Sequence, residues 1–287
     1  MAIKSVLVPL DGTDAAKAAM ETAFLVGRQL GAHVDVFHVR ADPKHAVPLL
    51  GEGMSGAMIE EMIELAENEA EDRASKARQM FDEYCSRQSI AIVDRGPGSG
   101  EVSASWIEET GREDEAMARR GRVSDIIAVG RPTPDSDVPS TMTLNAALFE
   151  TGRAVLVAPP EAPSVLGKRI SIAWNASAEA ARAVAGAKPF ITEAEQVTVL
   201  VVETPGTPVS SAEDLVAYLA WHGVEATARV VVPGDRSPRA ALLQECGEAG
   251  DMLVMGAYTK GRVRQMLLGG FTRHVLAEAA IPMVMAR

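Results

Sequence analysis

The residues best suited to chemistry lie in one stretch near the carboxyl end of the chain. Gly256-Ala257-Tyr258-Thr259-Lys260-Gly261 follows the apolar run Met252-Leu253-Val254-Met255, and Gly269-Gly270-Phe271-Thr272 opens a pattern with Phe271, Val275, Leu276 and Ala279 apolar. The order reads as strand, glycine-containing loop, helix, an arrangement that can hold an anion on backbone N–H groups and a helix N-terminus. Between Ala257 and Ala277 stand Lys260, Arg262, Arg264 and Arg273 with no Asp or Glu, in a chain of net charge −11. A small anionic ligand, phosphate above all, is the chemistry this stretch suits; a plain loop with glycines as punctuation is the competing reading.

The stretch is not a Walker loop. Arg262 and Val263 stand where the Lys and the Mg²⁺-binding hydroxyl are required after Gly256 and Gly261. A literal GxGxxG at Gly51 to Gly56 lacks a strand directly before it, so it reads as a loop rather than a dinucleotide site. Gly96-Pro97-Gly98-Ser99-Gly100 reads as a turn. No GxSxG elbow, HExxH pair or acid–base pair stands beside the glycine stretch, and His274 is a single imidazole near a helix start. These features favour a binding protein over an enzyme, with no metal site.

The 287 residues are 47% hydrophobic, enough for two ordinary domains. The acidic balance argues against nucleic-acid binding. Cys85 and Cys246 are single and distant, which suggests a reducing compartment and neither disulfide nor zinc framework. No apolar run is long enough to cross a bilayer and no leader pattern opens the sequence, so a cytoplasmic location is expected.

These residues must be positioned by alternating strands and helices. Ile3 to Leu10 predicts a buried strand, residues 15–30 a helix, and His33 to Val39 a second strand. A long helix is predicted over 56–88, with Met54, Met58, Met62, Leu65, Ala70, Ala74, Ala77, Phe81 and Tyr84 on the core face and an acidic opposite face, read as solvated, from Glu60 to Asp72. Ile90 to Val93 is the expected third strand, followed by a helix carrying Val102, Trp106 and Ile107 and a second helical piece to Arg120. Asp125 to Val129 and Ala154 to Val157 are the fourth and fifth strands, with a short helix at Leu144 to Leu148 between them. Pro159 to Ser164 is a linker by composition, and the order then repeats. Strands are predicted at 170–174, 197–202, 224–232, 252–255 and 282–286, with helices at 177–191, 212–221 and from Pro238 behind the cap Ser237.

The halves match each other. Ser5 to Asp11 lies over Arg169 to Asn175, Val34 to Val39 over Val197 to Val202, and Asp125 to Gly130 over Asp251 to Gly256. The last match is the sharpest, with Asp, four apolar residues and Gly in both. Two tandem domains follow, 1–158 and 168–287.

At these residues the chain resembles the universal stress protein family in its tandem form, over nearly its whole length. The resemblance implies two doubly wound five-stranded parallel-sheet α/β domains of strand order 3-2-1-4-5, associated through their last strands as an intrachain pseudo-dimer. A homodimer of the whole chain is a further possibility. Nucleotide-binding members carry G-x2-G-x9-G-[ST] after the fourth strand and an Asp after the first. Here Gly256 and Gly269 match, Thr259 replaces the second Gly, Gly270 replaces Ser/Thr and Asn175 replaces the Asp. The first half keeps Asp11 but has Pro132, Pro134, Asp135 and Asp137 after Gly130.

The resemblance therefore implies a non-enzymatic stress-response regulator. ATP, AMP or another adenine nucleotide would bind in the second half only, with adenine and ribose near Asn175 and Val202. The phosphates would rest on the N–H groups of Gly269, Gly270, Phe271 and Thr272. Asp11, Thr13, Asn175 and Ser177 are equally suited to helix capping. The alternative is a stress protein that acts through protein contacts and binds no nucleotide.

Overall fold

The computed structural model describes residues 2–42, 55–94, 100–132, 138–205, 208–258 and 270–287. Among these residues eleven strands form one sheet. In chain order they are β1 (Ser5–Pro9), β2 (His33–Ala41), β3 (Ala91–Ile92), β4 (Ser103–Gly111), β5 (Ile126–Gly130), β6 (Ala154–Ala158), β7 (Arg169–Ala173), β8 (Gln196–Val202), β9 (Ala226–Val231), β10 (Met252–Gly256) and β11 (Met283–Ala286). Their order across the sheet is β3-β4-β2-β1-β5-β6-β11-β10-β7-β8-β9. The helices are α1 (Asp14–Leu30), α2 (Gly56–Gln88), α3 (Glu113–Gly121), α4 (Val138–Glu150), α5 (Ala178–Glu193), α6 (Ser211–Ala220), α7 (Pro238–Ala249) and α8 (Phe271–Glu278).

The second half has the expected order 3-2-1-4-5 as β9-β8-β7-β10-β11, all parallel. The first half has it as β4-β2-β1-β5-β6, with β3 added outside β4. The halves meet where the apolar patterns end in unpaired edges. There β6 and β11 run antiparallel, with Met283 opposite Val157, Val284 opposite Leu156 and Met285 opposite Val155. The buried apolar clusters on both faces continue across this seam: Leu156 and Val284 lie in one, Val155 and Met285 in the other. The expected association through the last strands is what the sheet shows.

Two elements differ from the sequence reading. The segment expected as a helix with Val102, Trp106 and Ile107 is strand β4, and the expected third strand is reduced to the two-residue edge β3. Ser, Ala and Glu have little strand preference of their own, but pairing outweighs propensity. β4 pairs with all of β2, from His33 opposite Ser103 to Ala41 opposite Gly111. Cross-strand polar pairs fix that register: Ser105 Oγ donates to Asp35 Oδ1 at 2.6 Å and Arg40 Nε to Glu108 Oε1 at 2.6 Å.

These pairs make the first half sensitive to acid. Burial raises the pKa of Asp35, but hydrogen bonds from His33 and Ser105 outweigh it and leave the carboxyl below its ordinary 3.8. Burial also raises that of Glu108, and the bonds from Arg40 and Trp106 bring it below 4.5. The hydrogen bond from Arg120 lowers Glu109, with Arg119 adding to it. Each group holds its proton more weakly folded than unfolded, so acid favours unfolding. The stabilisation is complete above the ordinary values and is lost as pH falls through the lower, folded ones. Thermal denaturation should therefore give a Tm that is level near neutrality and drops below pH 4.5, and Glu109→Gln should make that drop shallower. An unchanged acid limb in Glu109→Gln would show that its Arg119 and Arg120 pairing adds nothing.

Candidate functional site

Both halves place the same small assembly at the carboxyl end of their first strand. In the first, Asp11 Oδ1 accepts from Thr13 N at 2.9 Å and from Thr13 Oγ1 at 2.7 Å, and Thr13 Oγ1 caps α1 by accepting from Ala16 N at 3.2 Å. In the second, Asn175 Oδ1 accepts from Ser177 N at 3.1 Å, and Ser177 Oγ caps α5 by accepting from Ala180 N at 3.1 Å. The intervening residue is left-handed in both, Gly12 at φ 85° and Ala176 at φ 57°. Asp11 and Asn175, equally suited to capping in the sequence, are not the caps; the turn to Thr13 or Ser177 occupies one side-chain oxygen of Asp11 and the single oxygen of Asn175. The second Asp11 oxygen and the Asn175 amide are the atoms left for a ligand.

The shared Asp-(apolar)4-Gly pattern is explained by the fold. The Asp125 carboxylate accepts from Lys4 N at 2.7 Å and Ser5 N at 3.0 Å, and Asp251 accepts from Arg169 N at 3.1 Å. Each Asp ties the start of the fourth strand of its half to the start of the first. The Gly at the other end lies against a helix: a Cβ on Gly130 would stand 2.5 Å from Ala15 O, and one on Gly256 2.6 Å from Ala180 N. Gly256 is therefore required by the approach of α5, whatever else it does.

The described part of the glycine stretch is its two ends. Tyr258, left-handed at φ 55°, follows β10, and its N–H donates to the buried Thr272 Oγ1 at 3.1 Å. That bond fixes the first turn of α8 beside the end of β10, at the crevice between β7 and β10 where strand order reverses. Gly270 is the N-cap, with φ −66° and ψ 144° and no side-chain cap on the helix. Phe271 is 39% exposed. Thr259 and Gly269, with Lys260, Arg262 and Arg264, lie outside the described residues. Val202 ends β8, half-buried, two strands from β10.

The matching crevice of the first half is a shallow cleft, open to solvent and lined by Asp11, Thr13, Glu113, Gly130, Arg131 and Thr143 among others. Thr143 Oγ1 donates to Glu113 Oε1 at 2.7 Å. Arg131 turns across the seam to donate to the carbonyl of Ala279 at the end of α8. Burial lowers the pKa of its guanidinium, with Glu278 opposing. Among the described residues the wall of this cleft thus carries two carboxylates, and its lining Arg131 is engaged elsewhere. Sequence reasoning missed Glu113, Arg131 and Thr143; they come from α3, α4 and the end of β5, and no local pattern joins them. Among the described residues no group of His, Cys, Asp and Glu could hold a metal ion.

Residues 2–130 match the sequence profile of the universal stress protein family. Those residues make the first half a domain of that family. No curated protein matches the chain by sequence. Among solved structures, a universal stress protein from Archaeoglobus fulgidus DSM 4304 is similar at 16% identity and TM-score 0.64, over 99% of this chain and 98% of that one. A protein from Pseudomonas aeruginosa UCBPP-PA14 is similar at 13% identity and TM-score 0.53, over 99% and 93%. At such identities these likenesses are of fold, and they extend it over both halves. No helix among the described residues is long and apolar enough to cross a membrane. Both cysteines of the chain are free and buried, and burial pushes the Cys85 thiol up to about 11 and the Cys246 thiol up to about 12. Neither is an activated nucleophile.

Proposed function

We propose that this chain is a tandem universal stress protein, a non-enzymatic stress-response regulator that holds an adenine nucleotide in its second domain, residues 168–287. The base and ribose would lie against Asn175 and Val202, and the phosphates on the first turn of α8. The observation that carries the reading is the N-terminus of α8. It lies at the switch point of the sheet, its cap Gly270 has no side chain to occupy the first N–H groups, and Arg273 adds positive charge in that turn. The first domain, residues 1–158, offers its cleft two carboxylates instead, which disfavours phosphates there.

The cap geometry supplies a test that separates binding from folding. Gly270 has backbone angles any residue can adopt, and Asp is among the best N-caps. Gly270→Asp would place its own carboxylate on the N–H groups that the phosphates need. Its Tm should be unchanged or slightly raised, while calorimetry should show ATP affinity falling roughly tenfold or more. Asn175→Asp keeps the turn to Ser177 and adds a second acceptor oxygen for a ribose hydroxyl, so it should strengthen binding. Mass spectrometry of ligand released from freshly purified protein identifies which nucleotide is carried. If neither wild type nor Asn175→Asp binds any nucleotide, the reading falls and action through protein contacts takes its place.

A further inference from the structure

Helix α2 is longer than the fold needs. It has 33 residues, whereas α6, in the matching position between the second and third strands of the other half, has 10. Its buried side chains are Ala74, Ala77, Phe81, Tyr84 and Cys85, all in the carboxyl-terminal half. Arg78 over Trp106 and Phe81 against Trp106 tie that half to β4. Residues 56–73 add roughly 27 Å of further helix at 1.5 Å per residue.

That extension corrects the sequence reading. The half-buried line runs through Ile59, Ile63, Ala66 and Ala70 into Ala74, Ala77, Phe81 and Tyr84. Met58, Met62 and Leu65, expected in the core, form a neighbouring stripe and are 51, 38 and 59% exposed. Both stripes are apolar in the sequence, so periodicity could not choose between them; packing of Phe81 and Tyr84 does. An exposed stripe at i, i+4 and i+7 is the surface an amphipathic helix recognises. Glu61, Glu69 and Asp72 flank it at helical spacing, Glu60, Glu64, Glu67 and Glu71 stand further round the helix, and no Lys or Arg lies between Ser55 and Asp72. Glu71 is paired with Arg40.

We propose that the amino-terminal half of α2 is a docking ridge for a basic amphipathic helix of a partner protein. Apolar residues of the partner would cover Met58, Met62 and Leu65, and its Lys or Arg would face the flanking carboxylates. The charge selects the occupant, because a second copy of the same ridge would set like charges against each other across the contact. The inference does not depend on nucleotide binding.

The test uses the full chain and two fluorescent helical peptides of about 20 residues. Both carry leucines at i, i+3, i+4 and i+7; one carries Lys and Arg elsewhere, the other Glu. Fluorescence anisotropy should show binding of the basic peptide only, weakening as salt is raised. The triple change Met58→Gln, Met62→Gln, Leu65→Gln affects exposed side chains and should leave Tm and circular dichroism unchanged while weakening binding roughly tenfold or more. Three results would overturn the proposal: no binding of the basic peptide, equal binding to wild type and triple variant, or self-association of the chain that the triple change abolishes.

Discussion

Leu156→Asp should destabilise both halves of the molecule at once. Leu156 is fully buried on β6, opposite Val284 on β11, in an apolar cluster that includes residues of both halves. A carboxylate there is desolvated, and its cost is about 4 kcal/mol or more even if it takes up a proton, a large share of the 5–15 kcal/mol typical of whole domains. Leu156→Ala, which only leaves a cavity, should cost about 2–5 kcal/mol. The tryptophans report on the two sides separately: Trp106 lies in the first half on β4, and Trp174 follows β7 in the second. Variants retaining one of them, with the other tryptophans replaced by Phe, should show coincident melting that shifts together in Leu156→Ala. A shift seen by Trp106 alone would mean that the seam does not couple the halves. The packing favours coupling, since α5 lies across the boundary, with Gly186 so near β6 that a Cβ would come 2.4 Å from Ala154 Cβ.

Replacing glycine by alanine should give opposite signs at different positions. At Gly130 the new Cβ would lie 2.5 Å from Ala15 O and 2.8 Å from Ala15 C; at Gly256 it would lie 2.6 Å from Ala180 N and 2.9 Å from Glu179 C. These are backbone atoms of helix first turns, so α1 or α5 must move, at a cost of about 1–3 kcal/mol. Gly247 lies within α7 with nothing near its absent Cβ, and Gly247→Ala should stabilise by about 0.4–1 kcal/mol. Denaturant melts of the three variants decide the matter. A silent Gly130→Ala would mean that α1 lies further from β5 than the structure has it. A Gly256→Ala variant that keeps its stability and loses only nucleotide would return Gly256 to the ligand.

The sequence by itself determined the alternation of buried strands and helices, because parallel strands covered on both faces leave apolar runs that need no partner to be recognised. It determined the N-caps Ser177 and Ser237, the start of α7 at Pro238 and the extent of α2, since these signals are local. It also revealed the repeat, and with it the family resemblance. Tertiary structure decided what depends on distant partners. β4 is a strand because β2 supplies its hydrogen bonds and polar pairs, although residues 102–107 carry no strong strand pattern. The inward face of α2 was set by Phe81 and Tyr84 against the body, not by the equally apolar Met58, Met62 and Leu65. Asp125 and Gly130, with Asp251 and Gly256, were legible as a motif but not as a role: the backbone N–H groups that the carboxylates accept from and the helix turns that the glycines admit are far away in sequence. A spacing shows which residue types recur, while packing alone determines whether a recurring glycine admits a phosphate or a helix.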